Sequence, residues 1–176
     1  NKVALKNKNL VIVGRVAPVK KIETLIYALV EIKEFGDFNL SIIGPVEDTR
    51  YTNKLKQLVN EHGLQSNVIF VGGVAHGDLP MILSDSDIFV SDSTTGSLDK
   101  VLLEAAAAGL LVVSSNTSFK SLVSERTTFK SGDHAELAEK IISLVTLSEE
   151  DLEKIKSDQL KAIVLPNKLN ALVTRI

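Results

Sequence analysis

Three short apolar runs constrain this chain more than anything else in it: Asn9 to Gly14 (NLVIVG), Phe38 to Gly44 (FNLSIIG) and Asn67 to Gly72 (NVIFVG), each ending in glycine. Runs of this length bounded by turn residues read as buried strands. Helical periodicity fills the gaps between them. A helix from about Lys20 to Phe35 would put Ile22, Leu25, Ile26, Leu29 and Ile32 on one face. A second, from about Tyr51 to His62, would turn Tyr51, Leu55, Leu58 and Val59 inward, with Asp48 or Thr49 as cap and Gly63 as stop. Strand and helix in alternation at this spacing define a parallel sheet with helices on its faces.

The pattern continues through the stretch from Ile88 to Ser114. After a short helix through Leu79, Ile82 and Leu83, the runs Ile88 to Val90 and Leu110 to Val113 lack period-two alternation, as strands covered on both faces do. The helix between them carries Leu98, Val101, Leu102 and Ala105 at helical spacing. Leu103 and Ala105 to Ala108 leave it almost no polar face, so it is expected to be nearly engulfed, with Gly109 ending it. Beyond Ser114 we expect a short extended piece within Phe119 to Phe129. A helix opened by Gly132-Asp133 and Glu136 in a capping-box pattern should follow, then another from Leu147-Ser148 to about Lys161, and a last amphipathic piece from about Lys168 to Ile176. The expected architecture is a doubly wound, Rossmann-like α/β domain with about six parallel strands and helices on both faces, spanning residues 1–176 as one unit.

Composition narrows the functions open to such a domain. A net charge of -2 gives no global drive toward nucleic acid, so any basic patch must be local. There is no cysteine, hence no disulfide framework and no thiolate chemistry, which fits a reducing compartment. The three histidines, His62, His76 and His134, have no metal-ligand spacing; His62 reads as a helix C-terminal cation and His76 as a loop residue. The first residues look like neither a signal nor a transit peptide. A start at Asn1, a few residues before a core strand, reads as part of a longer protein.

In open parallel sheets ligands lie beyond the carboxyl ends of the strands, where the strand order reverses. The first strand is followed by Gly14 and the cations Arg15 and Lys20, the second by Gly44-Pro45, the third by Gly72-Gly73-Val74 and the fourth by Ser93 to Ser97. Arg15 and Lys20 would converge with a hydroxyl-rich loop at a helix N-terminus, a combination suited to a diphosphate; singly, each is also an ordinary surface cation. Neither GxGxxG nor GxxxxGK[ST] is present, so a phosphate here must rely on side chains. Glu104 is the one charge within the alanine-rich helix. It reads either as the partner of Lys100 one turn earlier or as a carboxylate retained for a polar ligand, because an unsatisfied charge in such surroundings is costly.

Taken in order, GR-x4-K after the first strand, the glycine-closed second strand, VIFVGGV, the IFVS strand and LLEAAAAG followed by LVVSS resemble the nucleotide-binding C-terminal half of retaining GT-B glycosyltransferases, a family that includes sucrose synthase-like and many cell-surface polysaccharide enzymes. The resemblance covers roughly Leu10 to Val145. It implies a nucleotide-sugar donor such as a UDP- or GDP-sugar as substrate, with no metal and no separate cofactor. By the same resemblance Gly14, Arg15, Lys20, Ser97, Leu98 and Asp99 would hold the diphosphate and Glu104 the ribose, while Gly73 and Val74 would meet the base. The family usually has a glutamate eight residues before Glu104, followed by Gly-Phe-Gly, to contact the donor sugar. Here Gly96, Ser97, Leu98 and Asp99 stand in that place, so the sugar would fall to Gly96, Asp99 and Lys100, although Asp99 reads equally as a first-turn helix residue favoured by the dipole.

The resemblance further implies an N-terminal domain, absent from this chain, that carries the acceptor glycan or lipid and part of the catalytic machinery. The fragment would then be inactive alone. A cytoplasmic enzyme, at the inner membrane face where the acceptor is a lipid, is expected, with no nucleic-acid partner. The alternative is a non-catalytic Rossmann-like nucleotide-binding or regulatory module. A receiver-like phosphoacceptor domain would need acidic residues after the first strand, where this chain has Gly14-Arg15.

Overall fold

The computed structural model describes residues 5–93 and 99–164. Five parallel strands alternate with helices: β1 (Leu5–Val13), α1 (Ile22–Ile32), β2 (Gly36–Ile43), α2 (Thr49–Glu61), β3 (Val68–Gly72), α3 (Leu79–Ser84), β4 (Ile88–Ser91), α4 (Lys100–Ala107), β5 (Leu111–Ser114), α5 (Thr117–Lys120), α6 (His134–Val145) and α7 (Glu149–Gln159). The sheet order is β3-β2-β1-β4-β5, so the direction of winding reverses between β1 and β4. The expected sixth strand is reduced to one parallel bridge from Ser114 to Thr128. The rest of the 119–129 stretch forms the end of α5 and a 3-10 turn at Glu125–Thr127, since Asn116 and Ser124 each cap a turn with their side chains and draw the backbone out of extension.

Alternation within the strands builds two cores. Leu10 and Ile12 of β1, Leu40 and Ile42 of β2, Val90 of β4 and Val113 of β5 face α1, α2 and α6. Val11, Ile43, Phe89 and Val112 face α3 and α4. Every residue of β4 and β5 is buried, as uninterrupted apolar runs require. The edge strand β3 instead leaves Ile69 and Val71 exposed on one face.

Local rules account for most helix ends. Asp48, Asp133 and Ser148 cap α2, α6 and α7 by accepting from the backbone N–H of Tyr51, Glu136 and Asp151. The capping box at α6 is opened out, with Glu136 Oε2 accepting from Lys130 N–H at 2.7 Å. α1 starts later than its periodicity suggests. Pro18–Lys20 is a 3-10 turn, and Lys21 takes a left-handed φ of 42° before the α-helix begins. Tyr51 of α2 then ties down that start: its hydroxyl accepts from Ile22 N–H at 2.7 Å and donates to Glu23. Burial, reinforced by the Glu23 carboxylate, pushes its phenol above the usual tyrosine range.

α4 departs from expectation. Leu102, Ala105 and Ala106 are buried, but Ala107, Ala108 and Gly109 are exposed among the described residues, so the helix is covered on one side rather than engulfed. The final amphipathic piece from Lys168 lies outside the described residues. Among those described, no helix is long and apolar enough to cross a membrane.

Candidate functional site

The carboxyl ends of β1, β2 and β3 are laced together by their glycines. Gly14 N–H donates to Ile43 O and Gly44 N–H to Gly72 O, both at 2.8 Å. Gly44 has a φ of +147°, and a Cβ there would lie 1.9 Å from Gly14 O, so only glycine fits. At Gly14 a Cβ would lie 3.2 Å from Lys20 Cε and 3.7 Å from its Nζ, so the bare glycine lets the ammonium fold back over the strand end. Glycine closure is thus partly structural, and it also gives Lys20 its position.

Beyond this laced edge, between the ends of β1 and β2 and the helix α4, opens a cleft of about 380 Å³ lined by Val13, Gly14, Arg15, Ile43, Gly44, Pro45, Val74, Leu79, Lys100, Val101 and Glu104. It lies where the sheet order reverses, the place the topology reserves for ligands. Most expected site residues that the structure describes meet here. Gly73 sits just outside the lining, beside Pro45. Gly96, Ser97 and Leu98 fall outside the described residues. A groove of about 540 Å³ between α1 and α2, lined by Tyr27, Tyr51 and Lys54 among others, contains none of the expected residues.

Glu104 is partly buried, and its Oε2 is shielded from solvent. It stands at a junction, for it also borders an apolar pocket of about 290 Å³ formed with Leu79, Pro80, Leu83, Ala107 and Ala108. A carboxylate so placed can accept from the hydroxyls of a ligand lying in the cleft.

Each of the two cations expected at the diphosphate already faces an acid. Arg15 pairs with Glu47 on the exposed rim, and Lys20 Nζ lies 2.9 Å from Asp99 Oδ2 in a partly shielded position. The exposed pair adds little stability and yields easily to a competing anion; the shielded one holds more firmly. Lys21, the other half of the Lys20-Lys21 doublet, is turned away and donates to Ser131 Oγ at 2.8 Å.

That contact leads to a residue the sequence reading passed over. Asp92, directly after β4, is 1% exposed and accepts from Ser115 Oγ at 2.8 Å, Ser131 Oγ at 2.7 Å and Gly132 N–H at 2.9 Å. Three donors satisfy this buried carboxylate, which pins the 131–132 turn to the end of β4. Its partners lie 23, 39 and 40 residues along the chain, so no local signal in the sequence marks it.

A doubly wound parallel sheet with a crevice at its switch point, cations and a helix N-terminus on the rim and a carboxylate inside is a Rossmann-like α/β domain, here with the architecture of one half of a GT-B fold. The chain belongs to the family described as Glycosyl transferases group 1, whose pattern matches residues 1–160. Among curated relatives, it is 28% identical over 121 residues to the alpha-monoglucosyldiacylglycerol synthase of Streptococcus pneumoniae, covering 68% of this chain and 27% of that protein. It is 32% identical over 114 residues to a GDP-mannose-dependent alpha-(1-6)-phosphatidylinositol monomannoside mannosyltransferase of Mycobacterium tuberculosis, covering 61% of this chain and 29% of that one. Among solved structures, HepE of Anabaena, determined with UDP and glucose, superposes with a TM-score of 0.80 at 21% identity over 97% of this chain and 49% of its own. The catalytic domain of the Helicobacter pylori cholesterol-alpha-glucosyltransferase gives 0.75 at 23% identity, covering 88% of this chain and 95% of that domain. The chain therefore spans about half the length of HepE and under a third of these two curated relatives.

Proposed function

We propose that this chain is the donor-binding half of a retaining glycosyltransferase, and that its cleft seats a nucleoside diphosphate sugar. The observation that carries the reading is the convergence of Gly14, Arg15, Val74, Lys100 and Glu104 on one cleft at the switch point, with Lys20 folded over Gly14 at its mouth. In this reading Arg15 and Lys20 hold the diphosphate beside the N-terminus of α4. Glu104 accepts from the ribose hydroxyls, Val74 with Gly73 meets the base, and Asp99 and Lys100 face the sugar. As the bond to the sugar breaks, negative charge grows on the departing diphosphate, and fixed cations plus helix N–H groups stabilise that charge more than the ground state. The acceptor, a glycan or a lipid, is held by a further domain. Two relatives' names, an alpha-monoglucosyldiacylglycerol synthase and a phosphatidylinositol monomannoside mannosyltransferase, support a lipid acceptor; with such an acceptor the full-length enzyme would work at the cytoplasmic face of a membrane.

Replacing Arg15 and Lys20 together by alanine tests the reading. Charge-assisted contacts are worth ~1.5–3 kcal/mol each, but both cations must first leave an acid, so the low end applies and affinity for a nucleoside diphosphate should fall about a hundredfold. Unchanged calorimetric binding of UDP, GDP or ADP by the double variant would remove the assignment.

A further inference from the structure

Asp99 stands at the N-cap of α4, with extended backbone (φ -65°, ψ 135°). Aspartate is among the best residues for that position because its carboxylate accepts from the first-turn N–H groups. Here it makes no such bond. It reaches across to Lys20 Nζ at 2.9 Å, 79 residues away in the chain. Both side chains are partly shielded, at 18% exposure for Lys20 and 30% for Asp99. The helix N-terminus is therefore left without its own side-chain cap, while the ammonium beside it carries a carboxylate. Any anion drawn to this corner must displace Asp99 from Lys20, yet the N-cap backbone keeps the displaced carboxylate at the mouth of the cleft.

We propose that Asp99 is a specificity-determining residue that favours a diphosphate esterified to a sugar over the bare nucleoside diphosphate. The inference rests on the donor-site reading above. A bare nucleoside diphosphate ends in a phosphate monoester, whose second ionisation falls at about pH 6, so near neutrality it carries about one more negative charge than its sugar ester. That extra charge would face the displaced Asp99 carboxylate at short range and be repelled. The ester presents sugar hydroxyls instead, which donate to a carboxylate and satisfy it after it leaves Lys20. Asp99 thus penalises the product and tolerates the donor. Once the sugar has left, the same carboxylate competes for Lys20 and hastens departure of the nucleoside diphosphate.

The test is calorimetric titration of the chain and of Asp99→Asn with UDP and UDP-glucose, and with GDP and GDP-mannose should the uridine pair not bind. Asparagine keeps the size and capping ability of aspartate; Asp99→Ser, also a good cap, guards against a folding defect in the first variant. We expect the affinity for the bare diphosphate to rise about five- to tenfold in both variants, the scale of one partly shielded charge interaction, while sugar-nucleotide affinity changes by less than about threefold. Equal shifts for both ligands would overturn the proposal, reducing Asp99 to a simple competitor for Lys20, as would no shift for either. Lys20→Ala separates the two levels of the argument. Loss of both ligands in that variant upholds the donor-site reading whatever Asp99 does, and unchanged binding of both overturns reading and proposal together.

Discussion

At the scale of single residues, Glu104 and Gly44 illustrate two different constraints. Glu104 borders both the cleft and the apolar pocket behind it, so its charge faces a place where a ligand can lie rather than the middle of a core. Glu104→Gln keeps the size and one acceptor oxygen. We expect its melting temperature to stay within about 2 °C of the parent while nucleotide affinity drops by ~1.5–3 kcal/mol, the range for a hydrogen bond to a charged group. A variant that melts much earlier yet binds nucleotide normally would assign Glu104 to structure. Gly44 constrains the backbone instead. In Gly44→Ala the new Cβ meets Gly14 O at 1.9 Å in a left-handed conformation, and the clash falls on backbone that cannot swing away. The expected cost is about 3 kcal/mol or more, roughly 10 °C in thermal denaturation, with any binding defect following from a distorted edge at Gly14.

At the scale of elements, the most telling contact joins α7 to the edge strand β5. Gln159 is 2% exposed, and its amide accepts from Val112 N–H at 3.1 Å and donates to Val112 O at 2.8 Å. One side chain thereby does for β5 what a neighbouring strand would do, at a sheet edge where β pairing has dwindled to the single bridge at Thr128. The backbone widens into a π-turn immediately afterwards, at Leu160–Val164. Gln159→Leu would fill the space and leave two buried backbone groups unpaired, so we expect about 2–4 kcal/mol of destabilisation by chemical denaturation. Gln159→Glu should also destabilise, since a carboxylate cannot donate to Val112 O. Full stability in both variants would show that the edge is satisfied in some other way.

At the scale of the whole molecule, the proposed function makes this chain one wall of a larger cleft. Transfer requires an acceptor held close to the donor with water excluded, which in the proposed reading is the task of a further domain. Residues 1–176 alone are therefore expected to bind the donor without transferring sugar, and robust turnover by this chain in a radiolabelled-sugar assay would contradict the division of labour. Binding alone has a readable signature: ligand at a hundred times its dissociation constant stabilises the folded state by ~2.7 kcal/mol, enough to raise the melting temperature by several degrees.

The strands, the helices and their alternation were legible from the chain because they depend on local regularities: apolar runs closed by glycine, helical spacing of leucine and isoleucine, and capping by Asp48, Asp133 and Ser148. The cleft could be located as well, since a βαβ succession puts its strand ends on one side, and a resemblance spread over most of the chain supplied roles for the residues there. Which charge meets which could not be read in the same way. That Lys20 rather than Lys21 turns toward the cleft depends on a left-handed residue between a 3-10 turn and a helix. That Asp99 abandons its own helix for Lys20, that Asp92 gathers Ser115, Ser131 and Gly132, and that Gln159 finishes β5 all depend on partners 23 to 79 residues apart. Periodicity is a property of neighbours along the chain and survives in the bare sequence, whereas the pairing of polar side chains is selected by packing, which brings distant segments to within 3 Å only once both cores have closed on the sheet.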